Sequence, residues 1–470
     1  MIVVLSQGCA ANFGDGEKIA RILSKKSEVT FEFPEPTKNA ASSTDSAEPV
    51  ANSVPGAKSV DGVANSMPDA FYLNVCTVKG NAGAMKLLRK TASAYPNVPI
   101  YITGCAPKDF REEAIKAVPK VQFTTLAELE KDPLLSGVSG NAIQDRTRIS
   151  NRPPSPWSNA TGATHQNVLR ESPFVGIVNI EEGCLDACAF CSTHLVKGRL
   201  HSFAPHAIVD QVQALVDDGC LEIQLTGQDC ACYGFDIGTN LAELTQRILT
   251  HVNGNYRIRL GMGNPRHVLN YQEALLDCFT DERVYKFIHI PVQSGSERVL
   301  KAMNRRHSAL DYANLATAFT ERFSKFTLST DLIVGYPGET ADDFNDTLEL
   351  LKATRPTVCN ITRFVARPGT VAAHLEAATS NTQSAAVPDN VKHERSAILA
   401  EAFQKIALEN NREWIGEECT VVTEKPGYRA GTTIARNAAY RPVALRGTFP
   451  PGKTLRVRIT DAEPFALLSY

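Results

Sequence analysis

Between Val175 and Val365 short apolar runs alternate with helical patterns, and that alternation restricts what the chain can fold into more than any other feature. The runs are Val175 to Ile180, Glu222 to Thr226, Arg257 to Met262, Phe287 to Pro291, Thr327 to Gly335 and Val358 to Val365. Helical periodicity fills the gaps, for instance at Ala207 to Val216, Leu241 to Leu249, Val299 to Met303 and Ala341 to Leu351. Strands separated by helices pair in parallel, so six βα units in series predict an open, partial (β/α)6 barrel with its chemistry at the carboxyl ends of the strands. Just past the first of those ends, "EEGCLDACAFCSTH" places Cys184, Cys188 and Cys191 in one short loop.

Twelve cysteines in 470 residues need an explanation. The start, "MIVVLSQGCAANFGD", lacks a basic segment and a long apolar core, and no run reaches the ~18 apolar residues of a membrane span. A soluble, cytoplasmic protein is expected, and the cytosol keeps thiols reduced, so a disulfide framework is a poor account and metal or redox chemistry a better one. The spacing in the 184–191 loop suits three irons of a 4Fe-4S cluster, with the fourth iron left open to a small molecule. A structural zinc site wants four protein ligands, and apolar packing gives no reason for such spacing in a Gly-bounded loop.

The first third predicts a small parallel α/β sheet, with strands at Ile2 to Leu5, Thr30 to Glu32, Phe71 to Leu73, Ile100 to Thr103 and Val121 to Phe123. Cys9, Cys76 and Cys105 each sit just past a strand end on one sheet edge, where ligands bind, and Gly8 and Gly104 permit close backbone approach. Three loops converging on a second cluster is one reading; three unrelated cysteines is the other. Residues 37–68 read as a disordered insertion and 137–172 as a linker. The last sixty residues, with "CTVVT", "RPVAL" and "TLRVRIT", predict a small β-barrel. Net charge is only −2, so any nucleic-acid surface must be a local patch. The terminal module supplies one through Lys425, Arg429, Arg436, Arg441, Arg446, Lys453, Arg456 and Arg458.

The motif formed by Cys184, Cys188, Phe190 and Cys191 resembles that of the radical S-adenosylmethionine (SAM) enzymes. "GCAANFGDGE", "NVCTVKGNA", "TGCAP", "LTGQD", "RLGMGNP", "HIPVQSGS", "DLIVGYPGET" and "RFVARPGT" extend the likeness to the methylthiotransferases, over nearly the whole chain. The resemblance implies an N-terminal methylthiotransferase domain (1–136), a linker (137–172), a radical SAM barrel (173–411) and an RNA-binding TRAM barrel (412–470). It also implies two 4Fe-4S clusters, on Cys9, Cys76 and Cys105 and on Cys184, Cys188 and Cys191, the latter cleaving SAM to a 5′-deoxyadenosyl radical. "NVCTVKGNA" and "GCLDACAFCSTHLVKGRLHSF" look like the archaeal and eukaryotic branch, implying methylthiolation at C2 of N6-threonylcarbamoyladenosine-37 in the tRNA anticodon loop. An electron donor such as a flavodoxin or ferredoxin is implied as well. Isopentenyladenosine-37 or a ribosomal-protein aspartate are the alternative substrates, and an RNA-binding iron–sulfur redox sensor without turnover is the alternative of another class.

Other positions carry two readings each. Gly227, Gln228 and Asp229 in "LTGQD" orient SAM or nucleobase, or form a polar turn. Arg259, on a strand, meets an anion such as the SAM carboxylate, or an internal acid. Gln293, Gly335 and Glu339 sit at strand ends suited to SAM ribose or adenine, although a turn and helix cap also explain "PGET". Lys197 and Arg199 meet RNA phosphate or the SAM carboxylate, or stay solvated; Cys230 and Cys232, a departure from the family pattern, relay sulfur or bind metal adventitiously, or are loop thiols without a role. Cys220, Cys278, Cys359 and Cys419 read as packing groups.

Overall fold

Apolar strands that alternate with amphipathic helices bury both faces of a parallel sheet, and the chain does this twice. The computed structural model describes residues 1–8, 10–34, 67–76, 81–131, 170–379 and 386–470, in two units, Met1–Asn141 and Ala142–Tyr470. Cys9, nearly all of the expected insertion and nearly all of the expected linker lie outside the described residues.

In the first unit the order is β1 (Ile2–Ser6), α1 (Ala10–Ser24), β2 (Val29–Thr30), β3 (Ala70–Cys76), α2 (Ala82–Ala94), β4 (Ile100–Cys105), α3 (Lys108–Ala117), β5 (Gln122–Phe123) and α4 (Leu126–Lys131). All five strands pair in parallel in the order β2-β1-β3-β4-β5. The core includes Val3, Phe71, Leu73, Ile100 and Ile102 of the strands with Met85, Leu88 and Phe110 of α2 and α3. Chain order reverses between β1 and β3, the kind of switch point at whose carboxyl edge open α/β sheets bind ligands.

The second unit begins with β6 (Val175–Asn179), the short ribbon β7 (Glu181–Glu182) with its partner after α5 (Thr193–Lys197), β8 (His201–Ser202), then α6 (Pro205–Asp217), β9 (Glu222–Thr226) and α7 (Leu241–His251). It continues through β10 (Arg257–Leu260), α8 (Pro265–Val268), α9 (Gln272–Cys278), β11 (Phe287–His289), α10 (Glu297–Ala302), α11 (Ala309–Arg322), β12 (Thr327–Val334), α12 (Ala341–Thr354), β13 (Val358–Arg363), α13 (Val371–Thr379) and α14 (Asp389–Arg412). Strands β6, β9 and β10 form one parallel sheet and β11, β12 and β13 another, joined by the parallel bridge Ile258↔Val284. The result is the expected open (β/α)6 arrangement. Period two sorts the residues of each strand. Val178, Ile223, Leu225, Ile258, Leu260 and Ile288 enter the core against the helices, which leaves Asn179, Gln224, Thr226, Arg259, His289, Asp331 and Asn360 for the opposite, polar face.

The chain ends in β14 (Glu418–Pro426), β15 (Thr432–Asn437), β16 (Pro442–Arg446), β17 (Thr454–Arg458), β18 (Asp461–Glu463) and β19 (Ala466–Ser469), one curled sheet ordered β17-β14-β15-β16-β19-β18. A bulge between Thr423 and Lys425 helps β14 bend. Its β15–β16 turn closes the amino end of the barrel. Tyr440, held at φ +59°, rests its ring 4.9 Å from Tyr285 and 5.1 Å from Phe287. Buried Arg441 donates Nε to Thr327 Oγ1 (3.0 Å), Nη2 to Thr357 Oγ1 (3.0 Å) and Nη1 to Asn411 Oδ1. No helix among the described residues is long and apolar enough to cross a membrane.

Candidate active site

The cysteine loop is held at both ends and in the middle. The pairing of β7 with β8 closes its base, and Cys184 N–H donates to Gly198 O (3.2 Å). Gly183 adopts φ +82°, and a Cβ there would stand 2.1 Å from Arg199 O, so only glycine lets the strands of the base approach. Ala189 N–H donates to Met303 O (2.9 Å) and Asn304 Nδ2 to Ala187 O (2.7 Å). Between Cys184 and Cys188, the Asp186 carboxylate accepts from Asn264 Nδ2 (2.5 Å), His267 Nε2 (3.1 Å) and Arg266 Nη1. Burial pushes Asp186 up, but the hydrogen bond and charge of His267 and the charges of Arg266 and Arg305 outweigh it, leaving the carboxyl below its usual range.

Two N–H groups reach the sulfurs: Thr193 N–H to Cys191 Sγ (3.4 Å) and Arg305 Nη1 to Cys188 Sγ (3.5 Å). None of the three thiols is in a disulfide, and all are half-buried. Burial first, then the charge of Asp229 and the neighbouring thiols, pushes Cys184 well above the ordinary thiol value. Burial raises Cys188 too, against the opposing pull of Arg305. Two thiols that are costly to ionise, with a third in the same loop, suit a cationic group, which would hold them as thiolates.

"LTGQD" binds this loop to the next strand. Gln228 Oε1 accepts from Gly183 N–H (2.7 Å). The Asp229 carboxylate accepts from Asn264 N–H (2.9 Å) and Ala231 N–H (3.2 Å). Asp229 N–H in turn donates to Glu181 Oε1 (2.9 Å). Burial is the largest influence on Glu181 and pushes it up to about 8, while its Oε2 finds no partner among the described residues. Ligand atoms of Asp186, Asp229 and His267 lie within 4.8 Å of one another, and their hydrogen bonds to Asn264 and Arg266 account for the cluster as a clasp.

Residues 178–351 match the Radical SAM superfamily and residues 412–469 the TRAM domain. A Pyrococcus horikoshii protein named probable threonylcarbamoyladenosine tRNA methylthiotransferase is 32% identical over 450 residues, covering 94% of this chain and 93% of its own. An Archaeoglobus fulgidus protein of the same name is 35% identical over 364 residues, 77% of this chain and 81% of its own. The chain belongs to the threonylcarbamoyladenosine tRNA methylthiotransferase family. A Drosophila melanogaster member is 30% identical, covering 85% of this chain and 70% of its own. Superfamily membership brings a 4Fe-4S cluster and SAM with it.

Elsewhere in the barrel of this methylthiotransferase, Phe190 is half-buried against Val299, Met303, Tyr336 and Phe364. Among the described residues Arg259 reaches no carboxylate: its guanidinium lies 5.0 Å over Phe287 and 5.3 Å over Tyr440, toward the closed amino end. Gln293 takes φ +80°, its N–H bonded to Asp331 O (2.9 Å). Gly335 N–H donates to Glu339 Oε2 (2.7 Å), and Arg395 binds the same carboxylate (2.5 Å). The polar face also carries a group that none of the sequence expectations names: His289 Nε2 and Asn360 Nδ2 meet Asp331 Oδ1 at 3.0 and 2.6 Å. Its signal was present as His289 and Asp331 opening "HIPVQSGS" and "DLIVGYPGET".

In the N-terminal unit of this family member, Cys76 and Cys105 end β3 and β4 as direct register partners. A Cβ on Gly8 would stand 2.9 Å from Cys76 Sγ, so the glycine preceding Cys9 lies against that thiol. Asn12 Nδ2 donates to Gln7 O (2.6 Å) and Asn74 O (2.9 Å), while Asn74 Nδ2 returns a bond to Asn12 O, pinning the β1–α1 loop to β3. Cys230 and Cys232 are fully buried, Cys232 Sγ donating to Asp229 O (3.1 Å), and burial raises both thiols. The TRAM cations are partly engaged: Arg429, Arg436 and Arg456 pair with Glu463, Glu424 and Glu418, and Arg441 is buried. Lys425, Arg446, Lys453 and Arg458 are exposed.

Proposed function

We propose that this chain attaches a methylthio group to C2 of N6-threonylcarbamoyladenosine-37 of tRNA, using SAM and two 4Fe-4S clusters. The observation that carries the reading is its 32% identity to a threonylcarbamoyladenosine-type relative across 94% of the chain, joined to three thiols in one clamped loop beside a polar barrel face. Cys184, Cys188 and Cys191 hold one cluster, and Cys9, Cys76 and Cys105 the other. A reduced radical SAM cluster supplies the electron that cleaves SAM, and the C–H at C2, unactivated toward bases and nucleophiles, calls for that kind of chemistry.

The chain's own part is placement. Gln228 and Asp229 fix the second strand end to the loop, and Gln293 and Gly335 shape the next edges where SAM lies. The TRAM turn shuts the amino end of the barrel, so substrate enters from the carboxyl edge. An anticodon loop presents its bases unpaired, which lowers the cost of splaying adenosine 37 into the barrel. Domain limits of 1–136, 173–411 and 412–470, with a linker at 137–172, a flavodoxin- or ferredoxin-like reductant and a cytoplasmic location, complete the proposal.

Nucleoside mass spectrometry of tRNA from a methylthiotransferase-deficient host tests it. The 2-methylthio derivative of threonylcarbamoyladenosine should appear with the wild type and not with Cys184→Ala. Its absence although both clusters are loaded and SAM is cleaved would overturn the substrate and turn the search to isopentenyladenosine-37 or a ribosomal-protein aspartate.

A further inference from the structure

We propose that Arg305 raises the reduction potential of the cluster held by Cys184, Cys188 and Cys191, by directing a guanidinium N–H at one of its sulfurs. The inference rests on the ligation proposed above and goes beyond it.

Three consecutive residues after α10 grip three consecutive residues of the loop: Asn304 Nδ2 binds Ala187 O, Arg305 Nη1 binds Cys188 Sγ, and Met303 O accepts from Ala189 N–H. Two of these contacts are neutral and only position the loop. The third places a permanent positive charge on a ligating atom. Arg305 is aimed rather than loosely solvated, since its Nη2 donates to Pro291 O (2.6 Å), just past β11, and its backbone N–H to Leu300 O (2.9 Å). Asn304 takes φ +55° to turn the chain there. The other N–H on a sulfur, from Thr193 to Cys191, is an uncharged backbone donor.

Reduction adds one negative charge to the cluster. A donor N–H and a cation beside a ligating sulfur favour the more negative state, and hydrogen bonds to cluster sulfurs are an established lever on potential. Asp186 and Asp229 oppose the effect, yet both carboxylates are already engaged, by Arg266 and His267 and by the N–H groups of Asn264 and Ala231, whereas Arg305 bonds a ligating sulfur directly. Arg305 is thus a positioning residue, acting on SAM cleavage through Cys188.

The full chain, reconstituted with iron and sulfide, is titrated potentiometrically under electron paramagnetic resonance. The cluster of interest is the one whose signal changes on adding SAM. Arg305→Met should reduce its reduced-to-oxidised ratio about tenfold at the wild-type midpoint, equivalent to a fall of about 59 mV for a one-electron couple. Arg305→Lys, which keeps the charge but not the two-nitrogen fork, should fall between them and covers the case in which the Met variant does not fold. A midpoint unchanged in both variants, or loss of iron with the remaining cluster unshifted, would overturn the inference and leave Arg305 a loop clamp. A wild type whose signal ignores SAM and matches Cys184→Ala would overturn the ligation itself.

Discussion

Tyr440 of the TRAM sheet donates its hydroxyl to Glu222 Oε1 at 2.8 Å, so the amino end of the barrel is closed by a residue 218 positions away. Gln224 Nε2 binds the same carboxylate oxygen (2.6 Å), and the Arg259 guanidinium covers the Tyr440 ring. Tyr440→Phe removes two half-buried hydrogen bonds, one to Glu222 and one from Gln224 Nε2 (3.3 Å), and leaves Glu222 with one donor fewer, a cost of about 1–2 kcal/mol. Tyr440→Ala also removes the ring from between Tyr285 and Phe287, and about 3–5 kcal/mol is expected. Urea unfolding should show that ranking, with proteolysis near residue 412 rising in the Ala variant; two equal variants would mean that the ring does not bind the modules.

Glu181 makes stability depend on pH. Its folded value of about 8 stands above the ordinary 4.5, chiefly through burial, with Asp229 and Glu182 adding repulsion. Between pH 4.5 and about 8 the folded state keeps a proton that the unfolded state has lost, so stability falls as pH rises through that window and levels off above it. Glu181→Gln cannot titrate. In the cluster-free protein its stability relative to wild type should improve by about 1–3 kcal/mol between pH 5.5 and 8.5. A pH-independent difference between the two in urea melts would refute the assignment.

Much of the fold was legible because its signals are local. Strand ends fall at or next to the cysteines: β3 stops at Cys76 and β4 at Cys105, and β6 stops shortly before Cys184. What a side chain points at was less legible, because its partner lies far along the chain. Arg259 reads from sequence only as a cation on a strand, and its neighbour Tyr440 comes from another module. The TRAM cations behave likewise. Arg436 and Arg456 look available for phosphate until cross-strand pairing sets them beside Glu424 and Glu418. Gly16 in "GCAANFGDGE" likewise has its reason in a distant partner. A Cβ there would stand 1.9 Å from Ser6 Oγ, so glycine lets α1 lie close on β1.

Asn12 joins the loop after β1 to the end of β3, and its loss should be felt at the first cysteine set. Asn12→Ala leaves the carbonyls of Gln7 and Asn74 without that donor, at about 1–3 kcal/mol. If the chain carries the two clusters proposed above, iron content should fall from about eight toward four atoms, as each 4Fe-4S group carries four. The SAM-responsive signal should survive. An iron content that stays at the wild-type level would show that the clasp does not hold the first set.

Gly227 tests the packing behind the second set. A Cβ there would lie 2.0 Å from Glu181 Oε1 and 2.6 Å from its Cδ, and Glu181 is fully buried, so neither side has room to give. Moving the carboxylate would break its bond to Asp229 N–H and shift Gln228 away from Gly183, loosening the base of the cysteine loop. Gly227→Ala should therefore destabilise the barrel by about 1–3 kcal/mol, the usual range for overpacking, and weaken SAM binding in equilibrium dialysis. Gly83→Ala supplies the contrast. It lies in the first turn of α2 with nothing within 4 Å of a new Cβ. The gain in helix propensity should stabilise the first unit by about 0.5 kcal/mol with SAM binding unchanged. If Gly227→Ala binds SAM as the wild type does, the turn after β9 tolerates displacement and lies apart from the cofactor.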